Sequence, residues 1–181
     1  MVRDGHTHAV KSLCKTDFGI ELIGDALIAA VQAAKPKIVE FLLGTGRVPP
    51  DTIDWAFEEA ARYGSIDAVK LLYSHRRISQ QAISKAFEFV GSLVVPTASP
   101  RSEDDPPDMS TEDRVEIIKL LCDTGCIPSE LISKAFVRAA RKGYTNVMEA
   151  LHDDECVDSM ATAKAFICAC YHGHTAIVKV L

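Results

Sequence analysis

The sequence of 181 residues has no apolar stretch able to cross a membrane, because no window approaches about 18 uncharged apolar residues. The first residues, MVRDGHTHAVKSL, lack the apolar core of an export signal. A glycine-rich phosphate loop, a nucleophile elbow and an HExxH helix are also missing. We therefore predict a protein that is not an enzyme, uses no cofactor or metal, does not enter a membrane and, as given, carries no export signal.

Positive charge is in the minority, with 20 Lys and Arg against 25 Asp and Glu and a formal net charge of −5. This balance argues against a general polyanion binder, so nucleic acid is not the favoured partner. Six cysteines are scattered through the predicted helices of a chain with ordinary core content. We interpret them as thiols of a reducing compartment, the cytoplasm or nucleus, rather than as a disulfide framework.

A repeat of 30 residues organises what is present. In the copy at 132–151 a small–aromatic pair is followed by two alanines, a glycine and an apolar pair. The register is set by Leu27, Phe57, Phe87, Phe136 and Phe166. Successive members are 30, 30, 49 and 30 residues apart, so one repeat carries 19 extra residues. A fixed period of this length indicates a stacked-repeat array.

The repeat divides the whole chain. We predict one domain over 1–181, with a half repeat at 4–17 and repeats at about 18–47, 48–77, 78–126, 127–156 and 157–181. Because both ends fall inside repeats, we expect either a piece of a longer array or an array with unusual ends. The insertion falls at about 91–110, a stretch rich in proline and acidic side chains, which predicts a disordered loop in the third repeat.

Each repeat predicts two helices. In the second repeat Ile53, Phe57 and Ala60 share a face of the first helix, and apolar residues at helical spacing follow in 66–72. The first helices are predicted to end at glycines, which adopt the left-handed conformation without strain: Gly64, Gly143 and Gly173. The first repeat has Lys35-Pro36 there instead, and Pro36 is suited to open its second helix. The pattern predicts an all-α fold.

This frame resembles ankyrin repeats. The resemblance rests on Ala60-Ala61, Gly64, Val69 and Leu71-Leu72, and on the later segments Gly143-Tyr144-Thr145 and Gly173-His174-Thr175. It covers the chain outside 91–110 and implies an α-solenoid of stacked helix-turn-helix repeats, a scaffold for protein–protein interaction. Degenerate arrays of this kind are common in microbial eukaryotes, where some act as host-directed effectors. Delivery into a host cell is therefore kept as an alternative location.

The chain departs from the family in its period and in its helix starts. The family repeats every 33 residues and opens its first helix with Thr-Pro-Leu-His. Here alanine stands at the proline site of every repeat: Ala26, Ala56, Ala86, Ala135 and Ala165. Because alanine favours the helix interior, each first helix can begin about one turn earlier. We expect helix pairs without the family's projecting hairpin fingers.

The partner-binding residues are predicted on the face of the first helices opposite the register phenylalanines. A rotation of about 100° per residue brings them to that face, which lines the concave side of an ankyrin-like array. They are Trp55, Glu58, Arg62, Lys85, Phe89, Lys134, Arg138, Arg141, Lys164 and Tyr171. Aromatic residues and arginine are enriched at binding hot spots. We therefore predict a protein partner with an acidic or amphipathic segment.

Several alternatives stay open. Trp55 and Phe89 could pack against neighbouring repeats, the basic residues could bind nucleic acid, or the array could be a spacer without a ligand. The segment 168–174 contains two cysteines and two histidines, but its spacing favours a core cysteine and helix-junction histidines over a metal site. Cys122 and Cys126 are expected to be unpaired. Glu58-Glu59 is interpreted as solvated charge on an outward face rather than an acid–base pair.

Overall fold

The computed structural model describes residues 20–75, 78–92, 109–152 and 157–181, and helices are the only regular secondary structure in those ranges. They are α1 (Ile20–Gln32), α2 (Pro36–Gly44), α3 (Pro50–Arg62), α4 (Ile66–Ser74), α5 (Gln80–Gly91), α6 (Thr111–Cys122), α7 (Ser129–Lys142), α8 (Thr145–His152), α9 (Ser159–His172) and α10 (Thr175–Val180). The predicted all-α class is confirmed for this part of the chain. None of these helices has the length and apolar character needed to span a bilayer.

The helices pack as consecutive pairs in two layers. The first helices, α1, α3, α5, α7 and α9, each contact the next one along the chain. The second helices, α2, α4, α6, α8 and α10, do the same, and every first helix also packs against its own second helix. Buried apolar side chains from both layers form the hydrophobic core. Each pair therefore contacts chiefly the pair before it and the pair after it.

The first helices end where the sequence predicts. Gly143 and Gly173 cap α7 and α9 with φ of 80° and 73°, and Gly64 follows α3 with φ of 68°. In the first pair Ala34 adopts φ of 49°, and Pro36 is the first residue of α2. Glycine takes this left-handed conformation cheaply, whereas alanine is strained in it.

Three helices begin at a side chain that caps the free backbone N–H groups. The Ser79 hydroxyl accepts a hydrogen bond from the Ala82 N–H at 3.1 Å, and the Ser110 hydroxyl accepts one at 3.0 Å at the start of α6. Asp158 Oδ1 accepts from the Ala161 N–H at 2.6 Å at the start of α9. Such caps fix a helix start because the first turn has no internal acceptors for its N–H groups.

The register phenylalanines are buried, with one exception. Phe57, Phe87 and Phe136 are almost wholly inaccessible to solvent, whereas Phe166 is 45% exposed. The helices α3, α5 and α7 each have another first helix on both sides, but α9 packs against only one, α7, in the described part of the chain. Phe166 therefore keeps the register position of the other phenylalanines without their burial. Cys170, expected at a small core site on the same helix, is also exposed.

The predicted disordered segment is too wide at both ends. Gly91 is the last residue of α5 and is buried, and a Cβ built on it would lie 3.0 Å from the Cβ of Ala135 in α7. Met109 is partly buried, and its Cγ lies 3.0 Å from the position that a Cβ on Gly64 would take. Apolar contact orders these residues despite the polar segment between them. Residues 93–108, like the predicted half repeat at 4–17, lie outside the described ranges.

Candidate protein-binding surface

The ten predicted partner-binding residues all lie on first helices. They are distributed over α3, α5, α7 and α9. All of them are exposed except Glu58, which is partly buried. Trp55 is 53% exposed, Phe89 37% and Tyr171 83%, so neither Trp55 nor Phe89 is packed away in the core. Large aromatic surfaces of this kind remain available to a ligand.

A groove crosses three first helices and contains six of these residues. It encloses about 570 Å³ and is lined by Glu58, Arg62, Lys85, Phe89, Lys134 and Arg138. We call it the α5 groove, because α5 lies between the other two helices. Leu131 and Ala135 of α7 contribute its apolar wall. It therefore presents charged side chains around an apolar surface.

The cations on the α3 and α5 side of the α5 groove have acidic or aromatic neighbours within the protein. Lys85 Nζ lies 3.2 Å from Glu58 Oε1. The Arg62 guanidinium lies over the Phe89 ring, with Cζ 4.9 Å from the ring centroid, in cation–π geometry. Arg62 Nε is also 3.5 Å from Glu59 Oε1. These contacts fix the side chains and partly neutralise their charge.

Glu59 corrects the prediction for the acidic pair. Its side chain is buried, with the residue only 8% exposed, and Oε2 accepts a hydrogen bond from Gln32 Nε2 at 3.3 Å. The expectation of a solvated outward charge is wrong, because α1 packs on this side of α3 and places Gln32 beside the carboxylate. Glu58, one residue earlier, is partly exposed and faces Lys85.

A second groove lies between α7 and α9. It encloses about 540 Å³, and the predicted residues that line it are Lys134, Arg138, Arg141 and Lys164. We call it the α7–α9 groove. Val137, Met160 and Ala161 supply its apolar lining. Lys134 and Arg138 line both grooves, so the two adjoin along α7.

The charges of the α7–α9 groove are unbalanced. Lys134 Nζ lies 2.7 Å from Glu130 Oε1, and this hydrogen bond, with the positive charge, lowers the pKa of the Glu130 carboxyl. In the described part of the chain no carboxylate forms an ion pair with Arg138, Arg141 or Lys164. The other carboxylate lining the groove, Asp158, caps α9.

Two predicted residues lie outside the grooves. Trp55 precedes Glu58 and Arg62 by one and two helical turns, so it extends the same face of α3. Tyr171, near the end of α9, packs edge-on against His172, with ring centroids 5.0 Å apart. The predicted residues thus fall in two adjoining grooves, with an exposed aromatic residue beyond each. The apolar lining by Leu131 and Met160 was not predicted, since these residues have no special place in the repeat.

The alternative metal site gains no support from the geometry. Across the described ranges no three or more His, Cys, Asp or Glu side chains lie close enough together to hold a metal ion. His174 Nε2 instead lies 3.0 Å from the Arg141 carbonyl oxygen, the geometry of a hydrogen bond between adjacent helix pairs. The described cysteines, Cys122 and Cys126 included, form no disulfide.

Comparisons with protein-family models, with curated proteins and with solved structures found no significant match to this chain. The helix-pair register and the two grooves are therefore the observations on which a function can be argued.

Proposed function

We propose that the chain is an ankyrin-like α-solenoid that binds a protein partner through the concave side of its first helices. The pairwise packing supports this arrangement, because in a solenoid each repeat contacts its neighbours in both layers. The 30-residue register coincides with the helix pairs, and Phe57, Phe87 and Phe136 occupy equivalent buried sites. Left-handed Gly64, Gly143 and Gly173 join the first helices to the second.

The observation that carries the proposal is the pair of adjoining grooves on one layer of helices. Nearly all the residues that wall them belong to regular helices, so a ligand meets a preformed surface and loses little free energy to ordering the protein. Trp55 and Phe89 offer exposed aromatic surface, and Arg138 lies where the grooves meet. These residue types contribute most of the binding free energy in many interfaces.

The partner that fits this surface is an acidic or amphipathic protein segment. The chain as a whole is acidic, yet its two grooves gather Arg62, Lys85, Lys134, Arg138, Arg141 and Lys164. Complementary charge would attract and orient an acidic segment. Apolar side chains of the same segment would contact the Leu131 and Met160 walls. Partly exposed thiols at Cys126 and Cys168 suit a reducing compartment such as the cytoplasm or nucleus.

The test uses a matched pair of exposed aromatic residues. Trp55 lies on a first helix, whereas Tyr73 is exposed on the second helix α4. A photoreactive benzoylphenylalanine placed at either position identifies partners in cell extract by crosslinking and mass spectrometry. Each purified partner is then titrated against the Trp55→Ala and Tyr73→Ala variants by isothermal calorimetry.

We expect Trp55→Ala to weaken partner binding about tenfold or more, and Tyr73→Ala to change it less than about twofold. Equal effects of the two variants would overturn a site on the first helices. A chain that crosslinks to no protein at either position would overturn the protein partner and leave nucleic-acid binding or a spacer role.

Nucleic acid is the second candidate, because Arg138, Arg141 and Lys164 form no ion pair in the described part of the chain. Binding to phosphates releases counterions, so affinity for RNA would fall steeply as salt is raised. A titration of single-stranded RNA at several salt concentrations tests this function independently of any protein partner.

A further inference from the structure

We propose that the α7–α9 groove is the part of the surface that recognises carboxylates, and that its ligand is a peptide segment with acidic side chains around an apolar one. This rests on the proposed protein-binding function and divides the surface into two chemically different halves. The division follows from which cations already have an acidic neighbour in the protein.

The cations that α3 and α5 contribute to the α5 groove already have partners within the protein. Lys85 is 3.2 Å from Glu58, and Arg62 lies between the Glu59 carboxylate and the Phe89 ring. A ligand carboxylate would have to compete with these contacts to bind either cation. An exposed ion pair contributes little net free energy, so exchanging one partner for another would gain little.

In the described part of the chain, the α7–α9 groove contains cations that form no ion pair. Arg138 and Arg141 are one helical turn apart on α7, and Lys164 lines the groove from α9. The two carboxylates in the lining are occupied, Glu130 by Lys134 and Asp158 by the first turn of α9. Among the described residues a local excess of positive charge therefore remains, in a chain that is acidic as a whole.

A ligand carboxylate would relieve this excess. Arginine offers a planar fork of donors that matches a carboxylate with two parallel hydrogen bonds. Val137 and Met160, the latter 63% exposed, lie in the same groove and offer apolar surface. The site therefore matches a short segment with two or more acidic side chains flanking an apolar one.

An extended polyphosphate fits less well than such a segment. Beyond the shared wall formed by Lys134 and Arg138, the surface continues into the α5 groove, whose lining includes the carboxylates of Glu58 and Glu88. A nucleic-acid strand following the surface would meet these negative charges, whereas a peptide with localised acidic side chains would not need to.

The experiment compares two double variants that remove equal charge. Arg141→Gln/Lys164→Gln changes residues that line only the α7–α9 groove, and Arg62→Gln/Lys85→Gln changes residues that line only the α5 groove. Fluorescence anisotropy measures binding of a fluorescein-labelled peptide in which glutamates flank leucines. The control peptide carries glutamine for each glutamate, and labelled oligouridylate serves as the nucleic-acid probe. Circular dichroism verifies that both variants are folded.

We expect the glutamate peptide to bind, and Arg141→Gln/Lys164→Gln to weaken binding about tenfold. Arg62→Gln/Lys85→Gln also removes positive charge from the proposed surface, but it should weaken binding clearly less, by about threefold or less, because those cations are already paired. Equal binding of the two peptides, equal loss in both variants, or tighter binding of oligouridylate than of the glutamate peptide would each overturn the proposal. If this assay fails while a partner still binds in a Trp55-dependent way, the carboxylate site is wrong and the proposed function stands.

Discussion

The imidazole of His174 occupies the space that a side chain on Gly143 would need. Its Cε1 and Nδ1 atoms lie 2.8 Å from the position of a Cβ built on Gly143, closer than real Cβ atoms approach such neighbours. The same ring places Nε2 3.0 Å from the Arg141 carbonyl in the last turn of α7, where carbonyls lack partners within the helix. A residue of the fifth helix pair thus completes the end of a helix in the fourth.

This contact predicts different costs at two glycines of similar backbone conformation. Gly143 and Gly173 have φ of 80° and 73°, but a Cβ on Gly173 would meet nothing within 4 Å. Gly173→Ala should lower the free energy of unfolding by about 1–2 kcal/mol, the cost of the left-handed conformation for alanine. Gly143→Ala should cost about 1–3 kcal/mol more, since the His174 ring must also move. Urea denaturation measures both.

The added cost at Gly143 should depend on the histidine. Combining Gly143→Ala with His174→Ala should therefore destabilise by less than the sum of the two single changes, as expected for residues in contact. If the losses of unfolding free energy are additive, the His174 ring moves aside without cost.

A second matched pair tests burial at the register position. Phe136 is fully buried between two first helices, whereas Phe166 is 45% exposed at the equivalent site of α9. Phe136→Ala should lower the free energy of unfolding by about 3–5 kcal/mol, the usual cost of emptying a large core site. Phe166→Ala should cost about 1 kcal/mol, because less apolar surface is removed from the core. Thermal and urea unfolding measure both variants. Equal losses of unfolding free energy would contradict the burial pattern.

The neighbouring glutamates offer a third comparison. Glu59 is buried and contacts both Gln32 and Arg62, while Glu58 pairs with Lys85 near the surface. Glu59→Ala should cost about 1–3 kcal/mol, because it removes a buried carboxylate together with its hydrogen bond from Gln32, and hydrogen bonds to charged groups are the stronger ones. Glu58→Ala should cost less than about 1 kcal/mol, since solvent screens an exposed ion pair. Similar losses in urea denaturation would place both side chains in the same environment.

The proline-rich acidic segment gives a fourth prediction, which rests on its composition and on the residues flanking it. Replacing 96–108 with a short Gly-Ser linker should leave the melting temperature within about 3 °C, because this stretch of mostly proline, polar and acidic residues offers little apolar surface to bury. Extending the replacement to 91–110 should lower it by about 4–8 °C. The longer change removes the Ser110 cap of α6 and the Met109 contact beside Gly64. Equal melting temperatures would mean that neither contact contributes.

The sequence repeats predict helix positions well because each repeat carries its own local signals. These signals work over one or two helical turns. Examples are the glycine that ends α7, the serine that caps α5 and the phenylalanine that marks the inner face of a first helix. Exposure is harder to predict, because it depends on the neighbouring helix. Phe136 and Phe166 are identical in register, but α7 has a following first helix beside it, whereas α9 has none in the described part of the chain.

The candidate surface shows the same division. Helical periodicity placed Arg62, Lys85 and Arg138 on one layer, since 100° per residue fixes the face on which a side chain lies. Periodicity within one helix carries no information on the contacts between helices. The Lys85–Glu58 pair joins residues of different repeats, and the burial of Glu59 depends on Gln32 of α1. Such contacts depend on helix packing distances, which the spacing within one repeat does not determine.

Lys134 and Arg138 belong to both grooves, so the two halves of the surface are not independent. A ligand that holds either side chain over one groove removes it from the other, and the two binding free energies then contain a coupling term of either sign. Two separate ligands that both require Arg138 would exclude one another. A single segment long enough to lie across both grooves would instead share the side chain, and its second contact would form at the high effective concentration set by the first.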